Sequence, residues 1–345
     1  MELNGQKEVE KVMLKAGKLD SELLKKIVFE NIKYKNPEVL TRASVGEDCA
    51  VMEFGDYECI MSTDPITAAI SDIGSLAVHI TCNDIASNGV RPLGIMLAVM
   101  LPVGTTAEEV ETIMKQAGET AAELGVEIVG GHTEITQAVK TPVIVSTAVG
   151  KAKRGTSQRT EDMKAGDYIM MTKFAGIEGT GIIASDFREE LKSVLTEEEL
   201  TEAIDLLKQV SVLKDGIAAG KVGTAGMHDI TEGGVLGAVW EMCQVSNTGC
   251  EVWLDKIPVK EVTKKISEHY GIDYLRLISS GCMLIIIAPE KKEMLEEAMR
   301  EAGVEMNCIG RVCEHSFGIM SCETEGDKLS EIVPPKSDEL YKVIK

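Results

Sequence analysis

Aromatic side chains are scarce, at 4% of 345 residues, so an interior must be assembled from aliphatics, alanine and the 17 methionines. Positive charge is scarce too. With 36 lysines and arginines against 56 aspartates and glutamates the formal net charge is −20, which excludes a nucleic-acid backbone or an anionic membrane surface as partner. A nucleotide substrate stays open, because Mg2+, backbone amides and a few lysines can meet its phosphates. No stretch approaches the ~18 uninterrupted apolar residues of a membrane span. The opening MELNGQKEVEKVMLKAGKLD lacks the apolar segment of a signal peptide, so a cytoplasmic protein is expected. The nine cysteines are odd in number, form no C-x-x-C pair and sit mostly in apolar runs, as Cys282 does in GCMLIIIAP. They read as reduced core thiols. Cys308, Cys313 and Cys322 with His315 lack the spacing of a zinc knuckle and read as strand residues. No P-loop, no G-x-G-x-x-G after a strand and no H-E-x-x-H occurs. Spacing assembles no Ser-His-Asp or Cys-His arrangement.

The length is generous for one core and fits two α/β domains, divided into 1–155 and 156–345. Between them in importance stands Ser71–Pro92, SDIGSLAVHITCNDIASNGVRP, a helix opened by Ser71 or Asp72 and closed by Asn88-Gly89 ahead of Pro92. Ile73, Leu76, Ala77, Ile80, Asp84 and Ser87 share one side, and Val78, Cys82 and Ile85 make the other side apolar. A helix of that kind is buried between layers. Asp84 then lies in an apolar stripe, where an ionised carboxylate needs a cation, a cap or a metal. A bond to nearby backbone or to Arg91 is the purely structural alternative.

A charged lead-in with helical spacing at Leu19, Leu23, Leu24, Ile27 and Val28 precedes two strands, in SVGEDCAVMEF and ECIMSTDPI. After the central helix come the strand GIMLAVMLP, a helix from Thr106 to Leu124, VEIVGGHTEIT as a strand running into a double glycine, and the strand PVIVSTAVGKAKRG. Strands in series, interrupted by two helices, make a layered α+β first domain. The second opens on the strand DYIMMTKFAG and the glycine-rich GIEGTGIIASD. A long helix is expected over 196–219, with T-E-E-E as its capping box. TAGMHDITEGGVLGAVWEM joins a strand to a helix through a polar turn, EVWLD and CMLIIIAP read as strands, and 289–302 as a helix. Strands near 304–313 and 317–322 follow, and the tail EIVPPKSDELYKVIK reads as extended.

Acidic or polar tips end four segments of the first domain: Glu47-Asp48, Asp64, Asp84 and His132-Thr133-Glu134. Converging, they make the hard, oxygen-rich site that Mg2+ prefers in phosphoryl transfer, and like charges brought together need such a cation. GGHTE, GIEGTG and DITEGG can each offer backbone N–H groups to phosphate oxygens. Lys151, Lys153, Arg154 and Lys173 are the available cations, against the plain reading of ordinary turns and surface lysines. His132 and His228 sit at motif tips, as bases, phosphate contacts or hydrogen-bonded structural histidines.

Taken in order, G-E-D-C-A-V (46–51), S-T-D (62–64), D-I-G-x-L-A (72–77), N-D-I-A-x-x-G-x-x-P (83–92), G-G-H-T-E (130–134) and D-I-T-E-G-G (229–234) resemble the signatures of the AIR synthase-related superfamily. Its members include aminoimidazole ribonucleotide synthase, the hydrogenase-maturation protein HypE, selenophosphate synthetase and thiamine-monophosphate kinase. The likeness is nearest to the HypE-like branch, in the D-I-G-x-L-A helix and the D-x-T-x-G-G turn. It implies a two-domain α+β fold whose N-terminal sheets join into a barrel in a homodimer, with ATP and Mg2+ in clefts at that interface. By motif, Asp48, Asp64 and Asp84 match acids that hold Mg2+–ATP, and Asp229 matches the second-domain acid facing the phosphates. The resemblance assigns Gly46, Thr63, Asn83, Gly130, Gly131, His132, Thr133, Glu134, Lys151, Thr231, Gly233 and Gly234 to the nucleotide. It assigns Asp84, Asp229 and Lys173 to catalysis.

Three departures are visible. The printed chain ends Tyr341-Lys342-Val343-Ile344-Lys345 and not in the P-R-I-C of HypE proteins, whose last cysteine carries the carboxamide, so an acceptor other than its own tail is expected. Residues 1–45 hold no cysteine of the selenophosphate synthetase kind. His132 stands where several relatives have an acid, so that the metal contact is either lost or moved to Glu134. The implied function is Mg2+-dependent transfer of the γ-phosphoryl group of ATP to an oxygen of a small molecule or of a partner's amide. A kinase like that for thiamine monophosphate and a nucleotide-binding regulator without turnover are the alternatives.

Overall fold

The structure, a computed structural model, describes residues 18–19, 21–67, 72–334 and 337–344 apart from the side chain of Glu161. Two sheets carry the chain. The short helix α1 (Ser21–Ile27) leads into strands β1 (Val39–Thr41), β2 (Ala50–Phe54) and β3 (Tyr57–Ile66). Helix α2 (Ile73–Ser87), strand β4 (Pro92–Pro102), helix α3 (Ala107–Leu124) and strands β5 (Glu127–Thr136) and β6 (Val143–Lys153) complete the first half. Its strands lie in the order β1-β2-β3-β6-β4-β5. Only β4 and β5 run parallel, because α3 carries the chain back between them. The helix expected from Thr106 to Leu124 is present, with Thr106 capping it in a reciprocal box with Glu109 and left-handed Gly125 closing it.

The second half runs β7 (Tyr168–Thr172), α4 (Ile177–Asp186), α5 (Arg188–Leu191), α6 (Glu197–Asp205), α7 (Leu213–Val222), β8 (Gly226–Asp229) and α8 (Gly234–Ser246). Then come β9 (Gly249–Trp253), α9 (Glu261–Tyr270), β10 (Met283–Ile287), α10 (Lys292–Ala302), β11 (Met306–Cys313), β12 (Ile319–Cys322) and β13 (Ser330–Glu331). The strand order is β13-β12-β9-β11-β7-β10-β8. Every residue of β9 and β10 is buried, the pattern of strands covered on both faces. All nine cysteines are free thiols, with Cys308 and Cys313 in β11 and Cys322 in β12. No helix among the described residues is long and apolar enough to cross a membrane.

The element that joins the halves is α2. It packs on α3 and on β3, β6 and β4 of its own sheet, and on α7 and β8 of the other half. The approach to α7 is close enough that a Cβ on Gly216 would stand 2.2 Å from the Ala86 carbonyl oxygen. Ser71, one of the two expected caps, lies outside the described residues, and Asp72 occupies the cap position without a side-chain hydrogen bond.

Four readings of local structure need correction. The helix expected over 196–219 is two helices, α6 and α7, separated by a 3-10 turn (Leu206–Gln209) and by Val210–Val212. The Asn83 carboxamide breaks it, donating to the Val210 carbonyl at 2.7 Å and accepting from the Val212 amide at 2.9 Å. GGHTE is not a tip but the middle of β5. Gly131 has φ 146 there, and a Cβ would fall 2.0 Å from the Leu97 carbonyl oxygen, so the double glycine serves strand pairing. GIEGTG is no loop but the N-cap and first turn of α4, its glycines facing Leu277 and Leu207, and the N–H groups of Gly176 and Gly179 are already given to Ser279 and to the Ile278 carbonyl. The tail is not extended throughout, since Glu339–Lys342 form a 3-10 turn with Leu340 buried.

Candidate functional site

Four carboxylates reach one place from four segments. Asp48 stands in the turn ahead of β2, Asp64 near the end of β3, Asp84 in the last turns of α2 and Asp229 at the end of β8. The period of a strand puts Ser62 and Asp64 on the same face, and the Ser62 hydroxyl donates to the Asp84 carboxylate. Ser87, one turn beyond Asp84, accepts the Asp229 backbone N–H at 3.1 Å and so ties β8 to α2. His228, beside Asp229, bridges Asp48 at 2.8 Å through Nδ1 and Glu241 of α8 at 3.0 Å through Nε2. Around them lies a pocket of about 770 Å3 between the two halves, lined by nine carboxylates and, among the described residues, one lysine, Lys18.

So many acids in a small enclosed space cannot all ionise. Burial, and then the charges of Asp64 and Asp229, push the Asp84 carboxyl well above its usual range. Burial with Asp48 and Asp64 lifts Asp229 to about 8 against the opposing pull of His228 and Lys18. Burial alone would lower the His228 imidazole, yet Asp48 and Glu241 together hold it well above its ordinary value. On the far side of the pocket burial lifts Glu178 to about 7 and Asp338 to about 6. Asp64 Oδ2, both carboxylate oxygens of Asp229 and Glu178 Oε2 are buried without a partner among the described residues. Orphaned anionic oxygens of this kind are what a hard divalent cation satisfies. Asp48, His228 and Asp229 present ligand atoms within 4.8 Å of one another. Both nitrogens of His228 already have partners, so the free donors are oxygens, the set that suits Mg2+.

Of the residues expected in the site, Gly46, Asp48, Thr63, Asp64, Asp84, Asp229, Thr231 and Gly233 line this pocket, and Gly234 follows as the first residue of α8. The α8 N-terminus already holds an anion of its own. The Asp338 carboxylate accepts the N–H of Gly233 at 2.7 Å, of Leu340 at 2.8 Å and of Ile278 at 3.2 Å.

The others lie elsewhere. Asn83 is buried and engaged with Val210 and Val212, facing the second half and not the pocket. Lys173 sits on the opposite side of α2, paired with Asp215 at 3.2 Å and bonded to the Ser211 and Gly281 carbonyls. The Lys151 ammonium stacks 3.7 Å over the Tyr57 ring. Gly130, Gly131, His132, Thr133 and Glu134 lie exposed on the edge strand β5, with His132 and Glu134 paired at 3.3 Å.

Ser62, Glu178 and Asp338 line the pocket without a distinctive signal in the sequence. Glu241 does carry one: it is the single acid in the apolar helix α8, the same anomaly that marks Asp84.

The AIR synthase related protein N-terminal domain matches residues 46–152, and the AIR synthase related protein C-terminal domain matches 164–321. A Methanocaldococcus jannaschii protein provisionally named as a hydrogenase expression/formation protein is 29% identical over 315 residues, 88% of this chain and 90% of its own. The carbamoyl dehydratase HypE of Bradyrhizobium diazoefficiens is 29% identical over 295 residues, 82% of this chain and 83% of its own. Among solved structures, a HypE–HypF complex superposes with TM-score 0.74 at 24% identity, covering 91% of this chain and 99% of the other. HypE in complex with ATP superposes with TM-score 0.64 at 23% identity, covering 93% and 97%. These two share the fold.

Proposed function

The chain belongs to the AIR synthase-related family, and from that premise we propose that it is a HypE-like, Mg2+-dependent enzyme that transfers the γ-phosphoryl group of ATP. The acceptor in this reading is an oxygen of a small molecule or of a partner protein's amide, in the setting of hydrogenase maturation to which its relatives' names refer. One observation carries it: Asp48, Asp64, Asp84 and Asp229 converge in one pocket with buried oxygens left unpartnered. An arrangement of that kind is unfavourable for a merely structural core and suits a cation that travels with a nucleotide. The name of the ATP-bound neighbour supports the choice of nucleotide.

In this account the four aspartates hold Mg2+, which when bound neutralises charge on the phosphate oxygens. The chain's own residues do the rest by position. Ser62 fixes the rotamer of Asp84, and His228, gripped by Asp48 and Glu241, fixes Asp48. Glu178, raised to about 7, holds or releases a proton near neutral pH and faces the same pocket, which suits it to exchange a proton with the acceptor. The exposed edge strand β5 is covered in a homodimer, which brings His132, Thr133 and Glu134 toward a partner's nucleotide.

Calorimetric titration with Mg2+–ATP tests the site. Asp64→Asn is expected to weaken binding by about tenfold or more, and an unchanged affinity removes the carboxylate cluster from the nucleotide site.

A further inference from the structure

The second large cavity, about 890 Å3, opens on the other side of α2, between α3 of the first half and α7 of the second. Among the described residues, Leu76 alone lines both this cleft and the acidic pocket. The two have opposite electrostatics. Five cationic side chains, Arg91, Lys173, Lys208, Lys214 and Lys221, line the cleft against the carboxylates of Asp72, Glu123 and Asp215. In a chain of net charge −20 this is a local reversal of sign.

Internal partners account for part of the positive charge. Asp215, 1% exposed, pairs with Lys173 at 3.2 Å, and Asp205 pairs with Lys208 at 2.6 Å. Arg91 donates to the Leu124 carbonyl at 3.2 Å and has no ion pair among the described residues. Lys214 and Lys221 stand two turns apart on one face of α7, about 10 Å along its axis. They make no hydrogen bond or ion pair within the described residues. Two further features mark the wall. His79 on α2 holds a buried Nδ1 with no partner among the described residues, and burial with Lys173 lowers its pKa to about 4, so the ring is neutral at pH 7. Lys173 adopts φ 52, a left-handed backbone that a non-glycine residue keeps only where its surroundings enforce it.

We propose that this cleft is a second ligand site, built for a phosphorylated small molecule. The phosphate lies between Lys214, Lys221 and Arg91, and the organic part rests against His79, Leu76 and Ile217. A polyvalent anion is favoured over a monocarboxylate because two flexible lysines without partners among the described residues line the same cleft as Arg91, and a group carrying several charges can meet more than one of them. The volume falls in the roughly 300–1,000 Å3 of small-molecule pockets, and the mixture of apolar wall and convergent polar groups is their usual composition.

The test uses inorganic pyrophosphate as probe, with the full chain and EDTA, so that the metal-free acidic pocket repels the probe. Calorimetry compares wild type, Asp64→Asn and the double variant Lys214→Glu/Lys221→Glu, whose substitutions lie on an exposed helix face and whose fold is checked by circular dichroism. Pyrophosphate is expected to bind wild type and Asp64→Asn alike, and the double variant about tenfold more weakly or worse. The double variant is expected to keep Mg2+–ATP affinity within about threefold of wild type. Absence of pyrophosphate binding at millimolar concentration, or equal binding by the double variant, overturns the proposal. A polyglutamate peptide that binds with the same lysine dependence where pyrophosphate does not assigns the cleft to a protein partner and also overturns it.

Discussion

Asp84, Asp229 and Glu178 hold protons that the unfolded chain would release near pH 4. Their folded pKa values are raised, so the folded state binds more protons, and the stability they contribute is lost as pH climbs from the unfolded to the folded value. His228, also raised, acts in the same direction. For Glu178 the window ends at about 7 and for Asp229 at about 8. Thermal melts of the EDTA-treated protein are therefore expected to show a lower Tm at pH 8 than at pH 5. Asp229→Asn flattens that slope, and excess Mg2+ reduces it. A Tm that rises with pH over this range contradicts the proton assignment. Legibility at this scale followed chemistry. Asp48, Asp64 and Asp84 were readable because each acid stands at a tip or in an apolar stripe, and Asp229 through the resemblance of its D-I-T-E-G-G turn. Lys173 and Lys151 were not, because a lysine's partner is set by the fold: Asp215 lies 42 residues on for one, and the Tyr57 ring occupies the other.

Among the elements, the pattern of the sequence found α2, α3 and the longer strands of both sheets, most of which bury one face or both, but not the short edge strands β1 and β13, which contain no fully buried residue. Periodicity failed over 196–219, where a continuous helical pattern is overridden by one tertiary contact from Asn83. Composition misled at GGHTE and GIEGTG, because glycine marks close backbone or side-chain approach as readily as it marks a loop. Asn83→Ala leaves the buried Val210 carbonyl and Val212 amide unpaired, a loss of about 2 kcal/mol or more in urea denaturation. Equal stability would show that this bridge is dispensable. Gly216→Val drives a side chain into the Ala86 carbonyl of α2, where backbone cannot yield, and is expected to cost about 1–3 kcal/mol.

On the scale of the whole molecule, the pocket exists only because α2 belongs to both halves, with Asp84 on the side that faces β3 and β8. A single chain leaves β5 with an exposed edge and with Val129 and Ile135 at least half exposed. Periodicity and composition do not show what covers them, and the resemblance alone points to a second copy, the covering group in the proposed dimer. Sedimentation is expected to find a homodimer, and Val129→Lys/Ile135→Lys a monomer with reduced turnover; a monomeric wild type contradicts the proposed assembly.

The most direct measurement is ADP release from ATP by the purified chain, with Mg2+ or with EDTA, across a panel of amide and small-molecule acceptors. The account predicts turnover that requires Mg2+, is stimulated by one class of acceptor, and falls about 100-fold or more in Asp84→Asn with the fold retained. Turnover that persists in Asp84→Asn, or that proceeds equally in EDTA, contradicts it.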